Sequence, residues 1–76
     1  MAGMVTTTTR HREITVNGRC LTSGAETLAA LLVEEGFADV KVATAVNGDF
    51  VAARARVEVR LADGDRVEIL SARQGG

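Results

Sequence analysis

Apolar residues along this chain recur first at every second position, then at every third or fourth, then at every second again, and these changes of period divide it into elements. Glu13-Ile14-Thr15-Val16 sets Ile14 and Val16 on one face of a strand with polar residues on the other. Asn17-Gly18 closes that strand, and Arg19-Cys20-Leu21-Thr22 follows as a second. Asn-Gly between two such runs is the strongest short-range hairpin signal, because both central residues of a type I′ turn need positive φ. Alternation puts Leu21 and Cys20 on opposite faces, which leaves Cys20 toward solvent or at a strand edge. From Ser23 the period lengthens: Leu28, Leu31 and Leu32 stand at helical spacing, with Ala29, Ala30 and Val33 beside them and Glu34-Glu35 at the end. Two starts fit this amphipathic helix, Ser23 with Glu26 as a capping box or Thr27 as the N-cap of a shorter helix, and Gly36 supplies a left-handed stop. A helix of about two to three turns is marginal alone, so its leucines must be buried against a sheet.

Beyond the helix, Phe37 anchors a linker, and Lys41-Val42-Ala43-Thr44-Ala45-Val46 reads as a third strand turned back by Asn47-Gly48. Phe50-Val51 pairs briefly after that turn. Residues 52–58 (AARARVE) have mixed periodicity and read either as a short helical turn or as an irregular crossing. Leu61 is an apolar anchor before the tight turn Asp63-Gly64-Asp65, and Arg66-Val67-Glu68-Ile69-Leu70 is the last strand, with Val67 and Ile69 inward. The expected core therefore joins Leu28, Leu31 and Leu32 to Ile14, Val16, Val67 and Ile69.

Composition narrows the function classes. At 76 residues the chain is one domain near the lower size limit for folding without staples, and a catalytic cleft is hard to fit. Nine basic against ten acidic residues, net charge -1, give no electrostatic footprint for nucleic acid or an anionic membrane. The single Cys20 excludes an internal disulfide framework and a multi-cysteine metal site, and fits a reducing cytoplasm. His11 lies in a polar stretch with no base or thiol beside it in sequence, so neither it nor Cys20 is a catalytic or metal candidate. No apolar run approaches the roughly 18 residues of a membrane span. Residues 1–12 (MAGMVTTTTRHR) carry a Thr-rich run without apolar period and are read as a flexible leader. Residues 13–70 form the domain, and residues 71–76 a flexible tail.

That tail, Ser71-Ala72-Arg73-Gln74-Gly75-Gly76, follows the last strand directly, so two residues without side chains leave the fold where little backbone restraint acts on them. The element order, with one helix across a mixed sheet of four to five strands, resembles the α+β ubiquitin-like β-grasp fold. Three features together are similar to the ThiS and MoaD family of bacterial sulfur carriers: Ile14-Thr15-Val16-Asn17-Gly18 at the start, Val46-Asn47-Gly48 after the helix, and Asp63-Gly64-Asp65-Arg66-Val67-Glu68-Ile69 shortly before Gly75-Gly76. The resemblance spans residues 13–76. Within the family the chain looks more like the ThiS branch of thiamine biosynthesis, since it lacks proline and has a polar Ser-Ala-Arg-Gln before the glycines. Gln74 departs from the apolar residue or third glycine often found there in ThiS tails.

The resemblance implies a carrier with no catalytic residue, no bound cofactor and no metal. A ThiF-like enzyme would use MgATP to adenylate the Gly76 carboxylate, a sulfur-delivering protein would supply the sulfur of a thiocarboxylate, and a ThiG-like thiazole synthase would receive it. Gly75 would let the tail pass a constriction. Arg73, Gln74 and the aspartates Asp63 and Asp65 are the candidate partner contacts, together with apolar residues of the sheet's uncovered face. The resemblance leaves open a MoaD-like small subunit of molybdopterin synthase, and a ubiquitin-like modifier that passes Gly76 to a lysine amine.

Overall fold

A computed structural model of the chain describes residues 11–71. Five strands, β1 (Arg12–Val16), β2 (Arg19–Ser23), β3 (Val42–Val46), β4 (Asp49–Val51) and β5 (Arg66–Ser71), form one sheet in the order β2-β1-β5-β3-β4. The last strand thus lies in the middle. It runs parallel to β1 and antiparallel to β3, and the two hairpins β1–β2 and β3–β4 flank it. Arg12 opens β1 opposite Ser23, one residue inside the stretch read as leader, and its Nη1 donates to the Ala25 carbonyl at 3.1 Å.

Both hairpin turns are Asn-Gly with positive φ at each residue, 53° and 83° at Asn17 and Gly18 and 52° and 88° at Asn47 and Gly48. These are the values a type I′ turn requires. The helix α1 (Leu28–Glu34) begins at Thr27, whose Oγ1 accepts from the Ala30 N–H at 3.1 Å. Of the two starts, the shorter is the one formed. Ser23 instead ends β2, where its Oγ accepts from the Ala25 N–H at 3.0 Å and donates to Glu34 Oε1 at 2.7 Å. The helix stops as its sequence dictates: Gly36, at φ 88°, donates to Val33 O, and Phe37 N–H donates to Leu32 O at 2.8 Å, the paired bonds of a Schellman motif.

Leu28 and Leu31 are fully buried, and Leu32 nearly so, in one cluster with Ile14, Val16, Val67 and Ile69, joined by Ala25, Val51 and Leu61. The expected core is the observed one, with Phe37 packed at its margin. Residues 59–61 fix the start of α1, through Leu28 N–H to Val59 O at 2.9 Å and Leu61 N–H to Glu26 O at 3.0 Å. Of the two readings left open for residues 52–58, the helical one holds, as a 3₁₀ helix at Ala53–Glu58 packed beside α1. Its Arg56 reaches back to the sheet, donating from Nε to Thr44 Oγ1 at 3.0 Å and from Nη2 to Val42 O at 2.7 Å. Since β4 ends at Val51 opposite Thr44, this guanidinium takes up the β3 carbonyl that lies beyond the reach of β4.

Candidate functional site

The strand that leads to the tail is the best-held element of the sheet. Along β5 the side chains alternate, with Val67 and Ile69 in the core and Arg66, Glu68 and Leu70 outward. β3 pairs with it over its whole length, from Val46 opposite Val67 to Val42 opposite Ser71. β1 pairs with it only at its beginning, Thr15 with Arg66 and Val16 with Val67. Past that point the Asn17 side chain meets β5, its Oδ1 accepting from the Ile69 N–H at 2.8 Å and its Nδ2 donating to Ile69 O at 2.9 Å. Arg73, Gln74, Gly75 and Gly76 lie outside the described residues.

Asp63 and Asp65 are close to the tail in sequence but lie a strand's length from Ser71, where the described residues end. They precede β5, and six extended residues at about 3.3 Å each put roughly 17 Å between the two ends of the strand. Their carboxylates also serve the fold. Asp63 Oδ1 accepts from the Glu13 N–H at 2.8 Å, Asp65 Oδ2 from the Ala62 N–H at 2.8 Å, and Asp65 Oδ1 from Asn47 Nδ2 at 3.0 Å. Gly64, at φ 88°, donates its N–H to Glu13 O at 2.7 Å, so this turn laces the start of β5 to β1 and to the second hairpin.

The face of the sheet away from α1 offers a different surface. The register sets Leu70 opposite Ala43, and Glu68 opposite Ala45, which in turn faces Phe50. These outward residues line a shallow groove of about 350 Å³. Phe50 is 73% exposed and Leu70 67%, and small Ala43 and Ala45 between them keep the surface low. Large apolar side chains left in water around one apolar groove are the kind of patch that marks an interaction surface. Leu70 is also the residue before Ser71 in β5, so this patch reaches the end of that strand.

Cys20 is exposed on the edge strand β2 opposite Thr15, combining the two placements the sequence left open. Among the described residues no group of three or more His, Cys, Asp or Glu side chains is gathered to hold a metal ion, and no helix is long and apolar enough to cross a membrane. Among the described residues, Arg19 pairs with a half-buried Glu35 at 3.0 Å and Arg60 with an exposed Glu26 at 3.7 Å; these ties between surface segments add little to stability.

Residues 8–76 match the sequence pattern of the ThiS family, a span that includes the hairpins, the helix, β5 and Gly75-Gly76. The chain belongs to the ThiS family. Its fold agrees with the crystal structure of the thiamine biosynthesis protein ThiS from Geobacter metallireducens, at 33% identity and a TM-score of 0.68 over 78% of this chain and 91% of that one. A five-stranded mixed sheet crossed by one main helix is the ubiquitin-like β-grasp of that ThiS structure. No curated protein sequence matches the chain significantly. What sequence reasoning missed in this ThiS-family fold are the side chains that brace β5 and its neighbour, Asn17 and Arg56, because each is bonded to a strand remote in sequence.

Proposed function

We propose that the chain is a sulfur carrier of thiazole formation in thiamine biosynthesis, working as a protein substrate rather than as an enzyme. The observation that supports this most is the family match, which runs through the central strand and on to Gly75-Gly76. A carboxylate is a poor electrophile. In this reading a ThiF-like enzyme brings MgATP, the Gly76 carboxylate oxygen attacks the α-phosphorus, and pyrophosphate leaves to give an acyl-adenylate. The outer sulfur of a persulfide on the delivering protein then attacks the carbonyl carbon and AMP departs. A thiol attacks the inner sulfur of the resulting acyl disulfide, breaking its S–S bond to form a new disulfide and release the thiocarboxylate, whose sulfur passes to a thiazole synthase.

The carrier's share is position. A tail rooted in a central, doubly flanked strand raises the effective concentration of its end at a partner's site, and Gly75 passes a narrow channel that a Cβ would obstruct. Docking falls to the Phe50 and Leu70 face at the end of β5, with Arg73 and Gln74 in contact at the channel mouth. Asp63 and Asp65, at the other end of β5, have their carboxylates engaged in the loop.

The test is ATP–pyrophosphate exchange with a ThiF-type enzyme, comparing the full chain with one ending at Gln74. Exchange should be abolished by the truncation, since the new carboxylate falls up to roughly 7 Å short, while the unfolding midpoint stays nearly unaltered. Equal exchange by both forms would discard the carrier reading in favour of a β-grasp binding module.

A further inference from the structure

The hydrogen bonds of the β1–β5 ladder continue after β1 has ended, and a side chain makes them. In a parallel pair each residue of one strand offers its N–H and C=O to residues on either side of its neighbour. Thr15 N–H donates to Asp65 O at 3.0 Å, and Asn17 N–H donates to Val67 O at 2.9 Å, two steps of one such ladder. The next step would join the Ile69 N–H to the backbone carbonyl of residue 17, and Ile69 O to the backbone N–H of residue 19. Neither is available, because Asn17 and Gly18 at positive φ turn the chain back into β2. The Asn17 carboxamide takes both places, Oδ1 accepting from Ile69 N–H at 2.8 Å and Nδ2 donating to Ile69 O at 2.9 Å. One planar amide thus stands in for the peptide groups of a strand that is no longer there.

Position gives this clamp its consequence. Ile69 is two residues from Ser71, the end of β5, and the chain from Ile69 to Gly76 reaches at most roughly 25 Å when extended. On its other side that strand end is paired to β3. Without Asn17 the β1 side of that strand end would lose its hydrogen-bond partner, leaving the pairing to β3 and the buried Ile69 side chain to set the direction in which the strand leaves the sheet.

We infer that Asn17 is a positioning residue, which fixes the direction in which β5 delivers the tail, beyond its service to the hairpin turn. The inference rests on the sulfur-carrier reading. Asn17 also lines the groove flanked by Phe50 and Leu70, so its loss alters the docking surface too, and positioning is marked by a fall in the fraction of docked complexes with the Gly76 carboxylate in line with ATP. That fall is read in kcat, at saturating carrier.

Asn17→Gly is the informative change, because Gly-Gly forms the same turn and only the carboxamide is lost. Asn17→Asp also retains the turn, but sets a carboxylate oxygen against the Ile69 carbonyl. In pyrophosphate exchange with a ThiF-type enzyme, at saturating carrier and well below the unfolding midpoints, each variant should show kcat lowered about tenfold, the direction expected of a misplaced reacting group. Parent-like kcat in either variant, whatever its unfolding midpoint, overturns the positioning role, as does a rise in KM at unchanged kcat. Failure of the carrier reading looks different: the parent chain itself supports no exchange, and the inference falls with it.

Discussion

Asn17-Gly18 and Asn47-Gly48 are the same dipeptide in the same backbone conformation, yet their asparagine side chains hold opposite ends of one strand. Asn47 Oδ1 accepts from the Arg66 N–H at 2.9 Å and its Nδ2 donates to Asp65 Oδ1, so it secures the entry of β5 together with the acidic turn. Asn17 bonds both backbone groups of Ile69 and secures the exit. Local propensity explains why Asn-Gly occurs twice. It does not explain why asparagine rather than glycine or aspartate stands first in each, and the partner on β5 does. The two turns separate bracing of the fold from aiming of the tail, within a few residues and with the chemistry held constant.

That comparison can be broken or sharpened by mutation. The largest effect on stability belongs to neither turn. Leu31→Ala removes a fully buried side chain under the whole sheet and should cost about 2 to 5 kcal/mol in denaturant unfolding. Well below its midpoint, the variant should retain parent kcat in pyrophosphate exchange, which shows that lost stability alone does not slow adenylation. Next comes Asn47→Gly, which keeps the turn and deletes two exposed hydrogen bonds. A cost of about 1 kcal/mol is expected with kcat unaltered, and a kcat loss equal to that of Asn17→Gly would erase the distinction between the two ends. Smallest is Cys20→Ser, exposed on an edge strand, which should shift stability by less than about 0.5 kcal/mol and leave exchange as it was. A marked loss of exchange there would move the working surface toward β2.

Much of the fold was legible because its determinants are local. Type I′ turns need positive φ and announce themselves as Asn-Gly, the leucines at 28, 31 and 32 declare a helical face, and Gly36 marks its end. Where two local signals competed, tertiary structure chose. Ser23 and Thr27 both suit an N-cap, and pairing of Ser23 with Arg12 in the sheet left Thr27 as the cap. Residues 52–58 were ambiguous since their apolar positions follow no single period, and the 3₁₀ turn at Ala53–Glu58 is held by Arg56 reaching β3. The site divided in the same way. Alternation along β5, with Val67 and Ile69 inward, implied an outward Leu70, but nothing local set the face of Phe50 on β4, and the groove the two share depends on β5 entering the sheet beside β3. The Asn17 clamp spans 52 positions of sequence and had no local trace, and the acidic turn, near the tail along the chain, is separated from the far end of β5 by the length of that strand.

The central claim is that the body exists to deliver a C-terminal glycine for conversion to a thiocarboxylate. Intact mass measurement after incubation with a ThiF-type enzyme, MgATP and a sulfur donor addresses it most directly. The account predicts a product heavier by the exchange of one oxygen for sulfur, with the added mass confined to the fragment containing Gly75-Gly76 and formed only when ATP is present. An unaltered mass with active partners, or a conjugate in which Gly76 is joined to a lysine of another protein, would contradict it.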